Sequence, residues 1–356
     1  MSEIDSIIAR IAKKINAVYN SAADALRKQV AAFVSGIRER VETIRNQIEA
    51  EEITQEAGKT ALLRLFNSLS DEQVGEMTDT LYEANKAAKE DVNEALPEVY
   101  ADGFNSELYG IEYDLNDDSG LVPLDAENYY DWMQEHPELF RIGEVDEQKD
   151  KDWNKNTIRN TLITAVLVGV ATYKLTGYVT DTVINRNRES MQRNAEDTLY
   201  GGNDNGKQQA MTTAEEKGIQ MKKEWIATLD FKTREAHREL DGVQVAIDRA
   251  FVYHGDEIRF PRDPEAPAYL RCNCRCAYRH VNPTWKKGAY RKENIKDEDG
   301  NKPIIQNMTY KEWFAEKQKQ FGAEELEEQI KEMKRQQRHQ YYERQKRRKK
   351  QQEKAS

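Results

Sequence analysis

The sequence predicts a mainly α-helical protein, with a long N-terminal helical region, a small α+β module and a basic helical C-terminal tail. Three observations carry that class. Apolar residues recur at steps of three and four from Ile4 to Ile48, the period of a one-sided helix. Between Trp225 and Pro283 the texture changes to short strand-like runs broken by turns and prolines, the pattern of a small mixed module. Beyond about Met333 the chain is rich in Lys, Arg and Gln with no apolar face, so any helix there is sustained by propensity or by a partner.

The apolar run Ile4, Ile7, Ile8, Ile11, Ile15, Val18 and onward contains no proline, which predicts one or two long amphipathic helices. Their stripe either packs against the chain's own following helices or forms a coiled-coil seam for self-association. A second helix is expected over Ile53–Leu69. Ser70-Asp71-Glu72-Gln73 has capping-box spacing and opens a third, expected to stop near Ala95 because Pro97 follows. Asn116 to Gly120 reads as a loop, and Asp125 as the cap of a short helix through Trp132. Helical character resumes near Asp152 and runs to Leu175, with Gly177 as a stop, and another helix covers Asp181 to about Leu199. Gly201-Gly202-Asn203-Asp204-Asn205-Gly206 reads as a flexible break, followed by a helix from Lys207 to Lys217 that Gly218 ends. In the module, turns are expected at Asp241-Gly242 and His254-Gly255. Asp297 to Pro303 is a turn-rich linker, and Thr309-Tyr310-Lys311-Glu312 is a second capping box. The organisation that results is 1–150 helical and acidic, 151–222 helical, 223–283 the α+β Cys/His module, and 284–356 linker and basic tail.

Composition narrows the function classes. The 356 residues are 38 % hydrophobic and 33 % charged, which suits helical faces that meet other subunits better than a compact enzyme. The N-terminus lacks the apolar stretch and cleavage site of a signal peptide. The most apolar window, Thr161 to Tyr173, is shorter than the ~20 residues that span a bilayer and is expected to be a buried helix. The net charge of −10 hides an asymmetry: residues 71–150 hold 24 Asp/Glu against four Lys/Arg, whereas residues 331–356 hold 11 Lys/Arg against three Glu. Blocks of this kind mark interaction surfaces, tails or plain solvated faces.

All three cysteines lie at Cys272, Cys274 and Cys276. A disulfide framework needs cysteines spread along the chain, so a reducing compartment is expected. On an extended segment the three thiols would point to one side. They would chelate a soft cation such as zinc, with His237 as a nitrogen donor, or else serve as small buried hydrophobes.

Three pieces are specific in combination. Trp225 to Gly242 (WIATLDFKTREAHRELDG) is followed by the loop Phe260-Pro261-Arg262-Asp263-Pro264, and then by Arg271-Cys272-Asn273-Cys274-Arg275-Cys276. Here the chain resembles the phage Mu F-like head-morphogenesis family. Trp225, Asp230, Lys232, Thr233, Leu240, Asp241, Gly242, Cys274, Arg275 and Cys276 fall on that family's pattern. The family's first two cysteine positions are Arg234 and His237 here, and its histidine before Cys-Arg-Cys is Arg271. Cys272 is an extra thiol able to substitute for a lost ligand. The resemblance is specific over about Asp181 to Val281 and extends loosely to Met308–Trp313.

What the resemblance implies is a non-enzymatic minor head protein at the portal vertex inside the capsid, assembled in the host cytoplasm. Its partners would be the portal and other head proteins, with the metal set His237, Cys272, Cys274 and Cys276 stiffening the module. The basic tail offers Arg335, Arg338, Arg344, Lys346, Arg347, Arg348, Lys349 and Lys350 to the phosphates of double-stranded DNA, a salt-dependent and sequence-blind mode, or is simply a solvated helix end. The acidic stretch suits a basic protein surface. A metal-dependent nuclease or peptidase would use Asp230, His237, His254 and His280, but these sit in no His-Glu-x-x-His arrangement. A zinc-stabilised nucleic-acid regulator would need a helix-turn-helix or finger spacing, which is absent from the sequence.

Overall fold

The computed structural model describes residues 3–67, 71–116, 119–125, 146–282, 284, 290–295, 300–328, 330–332 and 335. The elements are α1 (Glu3–Glu49), α2 (Gln55–Asn67), α3 (Asp71–Leu115), α4 (Glu147–Leu167), a 3-10 turn at Thr172–Lys174, and α5 (Leu175–Glu216). Then come β1 (Lys222–Ile226), α6 (Glu235–Leu240), β2 (Gln244–Ala246), β3 (Phe251–Tyr253), β4 (Asp256–Ile258), α7 (Ala268–Arg271), β5 (Ala277–Val281), β6 (Tyr290–Lys292), β7 (Ile304–Gln306) and α8 (Tyr310–Phe321). The protein is mainly α-helical, and among the described residues its strands are confined to those after 221. Among the described residues no helix is long and apolar enough to cross a membrane.

The chain folds into two compact units. Among the described residues, one comprises those of 9–92 and 146–194, and the other those of 3–8, 93–125 and 195–335. The first is a helical bundle. The stripe on α1 is buried along its length, through Ile11, Ile15, Tyr19, Leu26, Phe33 and Ile37. Its interior carries one polar layer. Tyr19 Oη donates to Asn85 Oδ1 at 2.5 Å, Asn85 Nδ2 donates to Asp150 Oδ1 at 2.8 Å and to Asn187 Oδ1 at 3.1 Å, and Asn187 Nδ2 donates to Asn154 Oδ1 at 2.9 Å. Asn154 in turn donates to Asp150 Oδ2 at 3.0 Å. These groups come from α1, α3, α4 and α5 and are satisfied only in one register, which makes the layer a specificity device. Burial raises the Asp150 carboxyl, against the two asparagine hydrogen bonds, and burial, with the Asp150 charge, pushes the Tyr19 phenol up.

The second unit holds the ends of α3 and α5 and all the strands. β1 is the centre of an antiparallel sheet, order β2-β1-β5, with Trp225 opposite Tyr278. β3–β4 and β6–β7 are separate hairpins. Phe104, Leu108 and Ile111 of α3 meet Ala210, Met211 and Tyr278 in one core, so the helix pair and the module share an interior.

Three expected breaks are not breaks. α3 passes through Pro97 to Leu115. Proline costs a helix interior about 3 kcal/mol, but Leu96, Val99, Tyr100, Phe104 and Leu108 on the same helix are all buried. At roughly 1.5–3 kcal/mol each, that burial outweighs the lost bond. Gly177 lies inside α5; the stop falls earlier, where α4 ends at Leu167 and Gly169 takes φ 78°. The Gly201–Gly206 run is helical within α5. Its glycines are there for contact: a Cβ on Gly206 would run into the Tyr100 carbonyl, and one on Gly103 into the Asn203 carbonyl. Backbone meets backbone where α3 and α5 cross. The second capping box is formed, with Thr309 Oγ1 accepting from Glu312 N at 3.3 Å and Glu312 Oε2 accepting from Thr309 N at 2.7 Å. Ser70 of the first box and the helix expected from Asp125 to Trp132 lie outside the described residues, apart from Asp125 itself.

Candidate metal centre

β1 carries buried Trp225 next to its last residue, α6 lies just beyond it, and residues 274–276 lead into β5. This brings together His237, Cys274 and Cys276, the one group of metal-competent side chains found among the described residues, with ligand atoms within 4.8 Å of one another. His237 Nδ1 is 3.7 Å from Cys274 Sγ and 3.2 Å from Cys276 Sγ. A tetrahedral zinc with ordinary Zn–S and Zn–N bonds sets the N···S separation at about 3.6 Å, which these two distances bracket. The other ring nitrogen, Nε2, donates to the Leu270 carbonyl at 2.8 Å. That bond fixes the tautomer and leaves the Nδ1 lone pair facing the sulfurs, the outer-shell support metal-bound histidines use. Trp225 stacks edge-on to His237 with ring centroids 5.4 Å apart, and its buried Nε1–H has no partner. The indole favours ionisation of Cys276, so a thiolate there would meet an orphaned donor. The donor set fits a soft metal ion; the same separations also serve S–H···N hydrogen bonds.

The two thiols do not ionise alike. The neighbouring Cys276 thiol, opposed by burial and helped by His237, holds Cys274 well below the ordinary thiol range. The same neighbour and burial push Cys276 well above it. His237, Cys274 and Cys276 are 2 %, 3 % and 4 % exposed, so both sulfurs and the imidazole face the core.

Cys272 stands apart from this group, half-buried at the end of α7. The expectation that three thiols share one side of an extended strand is not met, because Asn273 adopts φ 53°. A left-handed residue between them breaks the strand alternation. Asp197 holds the turn, its carboxylate accepting from Asn273 N at 2.8 and 3.0 Å.

The remaining motif residues form a knot around two carboxylates. Asp230 accepts from both Arg275 Nη atoms, from Asn294 Nδ2 at 2.8 Å, from Lys232 N at 2.9 Å and from Thr233 Oγ1 at 3.2 Å. Burial opposes ionisation of Asp230, but the Arg275 and Asn294 bonds outweigh it and hold the carboxyl below its usual range. Asp241 accepts from Ala227 N at 2.5 Å, Tyr310 N at 2.5 Å, and Arg291 Nη1 and Nη2 at 2.8 and 2.6 Å. One side chain therefore ties the end of β1, strand β6 and the start of α8. Gly242 needs its φ of 79°, and a Cβ there would lie 3.1 Å from Thr309. Leu240 is core beside Trp225, and the Lys232 side chain is exposed.

Arg291, Asn294 and Tyr310 were not legible as partners. They lie 50 to 69 residues from the carboxylates they serve, with no local spacing to betray them. The residues of a hydrolytic constellation are dispersed. Asp230 is in the knot and His237 in the triad. His280 contacts Glu107 at 2.6 Å and Asp114 at 3.0 Å, and His254 stacks on Tyr253 at the surface. Of the tail residues, Arg335 is exposed and 3.8 Å from Glu332; Arg338, Arg344, Lys346, Arg347, Arg348, Lys349 and Lys350 lie outside the described residues.

Comparison with known proteins places residues 156–279 on the family model described as Phage Mu protein F like protein. Minor head protein GP7 of Bacillus phage SPP1 is 35 % identical over 118 residues, covering 31 % of this chain and 34 % of GP7. A protein of Enterococcus faecalis named NAD(+)--arginine ADP-ribosyltransferase EFV is 27 % identical over 225 residues, covering 60 % of this chain and 42 % of that protein. The chain spans less than half the length of either relative. No solved structure matches.

Proposed function

We propose, for a chain that belongs to the phage Mu F-like family through residues 156–279, that it is a phage or prophage minor head protein acting by assembly and not by catalysis. The family match carries this reading, and the stretch it covers contains the triad and both knot carboxylates. Their environment supports it. Asp230 and Asp241 are saturated by guanidinium and backbone donors, so the motif's acids hold the fold together and are not poised to move protons.

In this reading the protein resides in the virion at the portal vertex, after assembly in the host cytoplasm, with the portal and other head proteins as partners. The long helices supply contact faces, including faces for self-association. Zinc held by His237, Cys274 and Cys276 clamps β5 to α6, with Cys272 as a further thiol close by in sequence. The basic tail from Arg335 onward touches packaged double-stranded DNA without sequence preference. Co-expression with the portal protein of the same genome tests the core of the proposal. Co-purification of the two is the expected result, and a portal that never retains this protein removes the assembly reading.

The name of the Enterococcus relative sets a second, cheap test. Incubation with labelled NAD and an arginine-bearing acceptor is expected to transfer no label. Transfer that depends on this chain would replace assembly by catalysis.

A further inference from the structure

We infer that the groove between α1 and α2 is a docking site for an acidic, aromatic segment of a second copy of the chain, residues 126–140. The two helices form an antiparallel hairpin packed at close range. Phe33 meets Phe66 edge-on with ring centroids 5.8 Å apart, and a Cβ on Gly58 would fall 2.3 Å from Ile48 Cδ1. Between these contacts lies a groove of about 440 Å³, lined by Arg40, Thr43 and Ile44 of α1 and by Arg64 and Leu65 of α2. Its floor is apolar, with Leu65 buried and Ile44 half-buried. Thr43 Oγ1 donates to the Glu39 carbonyl at 2.9 Å, so the polar chemistry the groove offers is two guanidiniums.

Those guanidiniums are unspent. Arg45 and Lys59 on the same helices pair with Glu49 and Glu56 about one turn away, at 2.8 and 3.6 Å. Arg40 and Arg64 have no carboxylate at a step of three or four, the spacings at which helical side chains meet. Among the described residues neither guanidinium has an ion pair or a hydrogen bond, and both side chains are exposed. Two cations facing one groove repel each other, and a carboxylate lying between them is attracted by both.

The occupant follows from charge and chemistry. A nucleic-acid duplex presents a long, even track of phosphates, whereas residues 36–67 hold six Glu against five Lys/Arg, so the hairpin offers it no basic track. A short acidic peptide needs only the two arginines. Residues 90–140 contain no Lys or Arg. The first part of that run is α3, whose Leu96, Val99, Tyr100 and Phe104 are already buried. Residues 126–140 interleave Glu127, Asp131 and Glu135 with Tyr129, Tyr130 and Trp132. Arginine recognises both kinds of group, forking onto carboxylates and stacking on aromatic faces. Each copy carries one groove and one segment, so two copies can serve each other reciprocally. The inference rests on the self-association within the proposed function and names its surface; portal co-purification succeeds or fails without it.

Sedimentation velocity of the full-length protein at low salt tests it. Reversible association is expected, weakening as the Debye length shrinks. Arg40→Gln/Arg64→Gln should weaken it by at least about tenfold, the combined scale of two partly exposed ion pairs, and Tyr130→Ala/Trp132→Ala should weaken it similarly. Arg40→Lys/Arg64→Lys keeps the charge but loses the fork, and should recover only part of the affinity. The control Lys13→Gln/Lys28→Gln removes equal charge from exposed positions elsewhere on α1 and should change nothing. Complementation separates a lost site from a misfolded chain. A mixture of the groove variant and the Tyr130→Ala/Trp132→Ala variant should associate more tightly than either alone, because one supplies the segment and the other the groove. A monomeric wild type, which would leave the segment to its own chain or to another protein, overturns the proposal. So does a groove variant that associates as the wild type does, a control that weakens equally, or a mixture no tighter than its parts.

Discussion

Replacing Gly206 with alanine puts a methyl group where α3 and α5 already touch through their backbones. A Cβ at 206 meets the Tyr100 carbonyl and the Phe104 amide, neither of which can swing aside as a side chain would. Tyr100 is 1 % exposed and its neighbours Leu96 and Val99 are fully buried, so α3 must back off by on the order of an ångström through a close-packed core. Overpacking of this kind costs roughly 1–3 kcal/mol, and an obstacle made of backbone belongs at the upper end of that range. Alanine returns about 1 kcal/mol of helix propensity. The net is a loss of about 2 kcal/mol, read as a lower urea midpoint at unchanged slope. Gly36 and Gly177 are also helical but have nothing within 4 Å of an added Cβ. Gly36→Ala and Gly177→Ala should therefore gain up to about 1 kcal/mol. If Gly206→Ala were as stable as the wild type, or gained as Gly36→Ala does, the account of the glycine run as a packing device would be wrong.

Four further outcomes are expected. Asp241→Ala leaves the Arg291 guanidinium buried without its partner, and should cost roughly 3–5 kcal/mol; denaturation with Arg291→Ala as companion checks it, since the double variant should lose less than the sum. His280 is buried, which lowers its pKa, but the Glu107 and Asp114 contacts outweigh that and raise it above 6.5 overall. The sign follows: its contribution is full below pH 6.5 and fades as pH rises through the higher folded value. The stability gap between wild type and His280→Gln should thus be wider at about pH 6 than at about pH 8.5, and an equal gap would refute the clamp. Elemental analysis of protein purified without chelator should find near-stoichiometric zinc that Cys274→Ser/Cys276→Ser loses and Cys272→Ser keeps; a metal-free wild type would leave the thiols as core residues. Deleting Arg335–Ser356 should abolish DNA retention at low salt and flatten its salt dependence, and unchanged retention would sink the tail's role.

The helical class, the stripe on α1, the second capping box and the change of texture near Trp225 were legible in the amino-acid order, because periodicity and capping are local. So was the family pattern, whose residues sit a few positions apart. Breaks were misread wherever a local rule met a long-range contact. Pro97 and the Gly201–Gly206 run signal loops by their own conformational preferences, yet buried neighbours on α3 hold the first in a helix and the close approach of α3 and α5 requires glycine in the second. The site shows the same division. Cysteines at 272, 274 and 276 together with His237 were a metal-competent set by residue type alone. Only the tertiary structure decided which three converge: a left-handed Asn273 turns Cys272 away, and Leu270 aims the imidazole at the other two. Arg291 and Asn294 became partners of Asp241 and Asp230 for the same reason. Chain spacing determines which groups are near along a helix or strand, and only burial of a shared core determines which distant groups must pair once water is excluded.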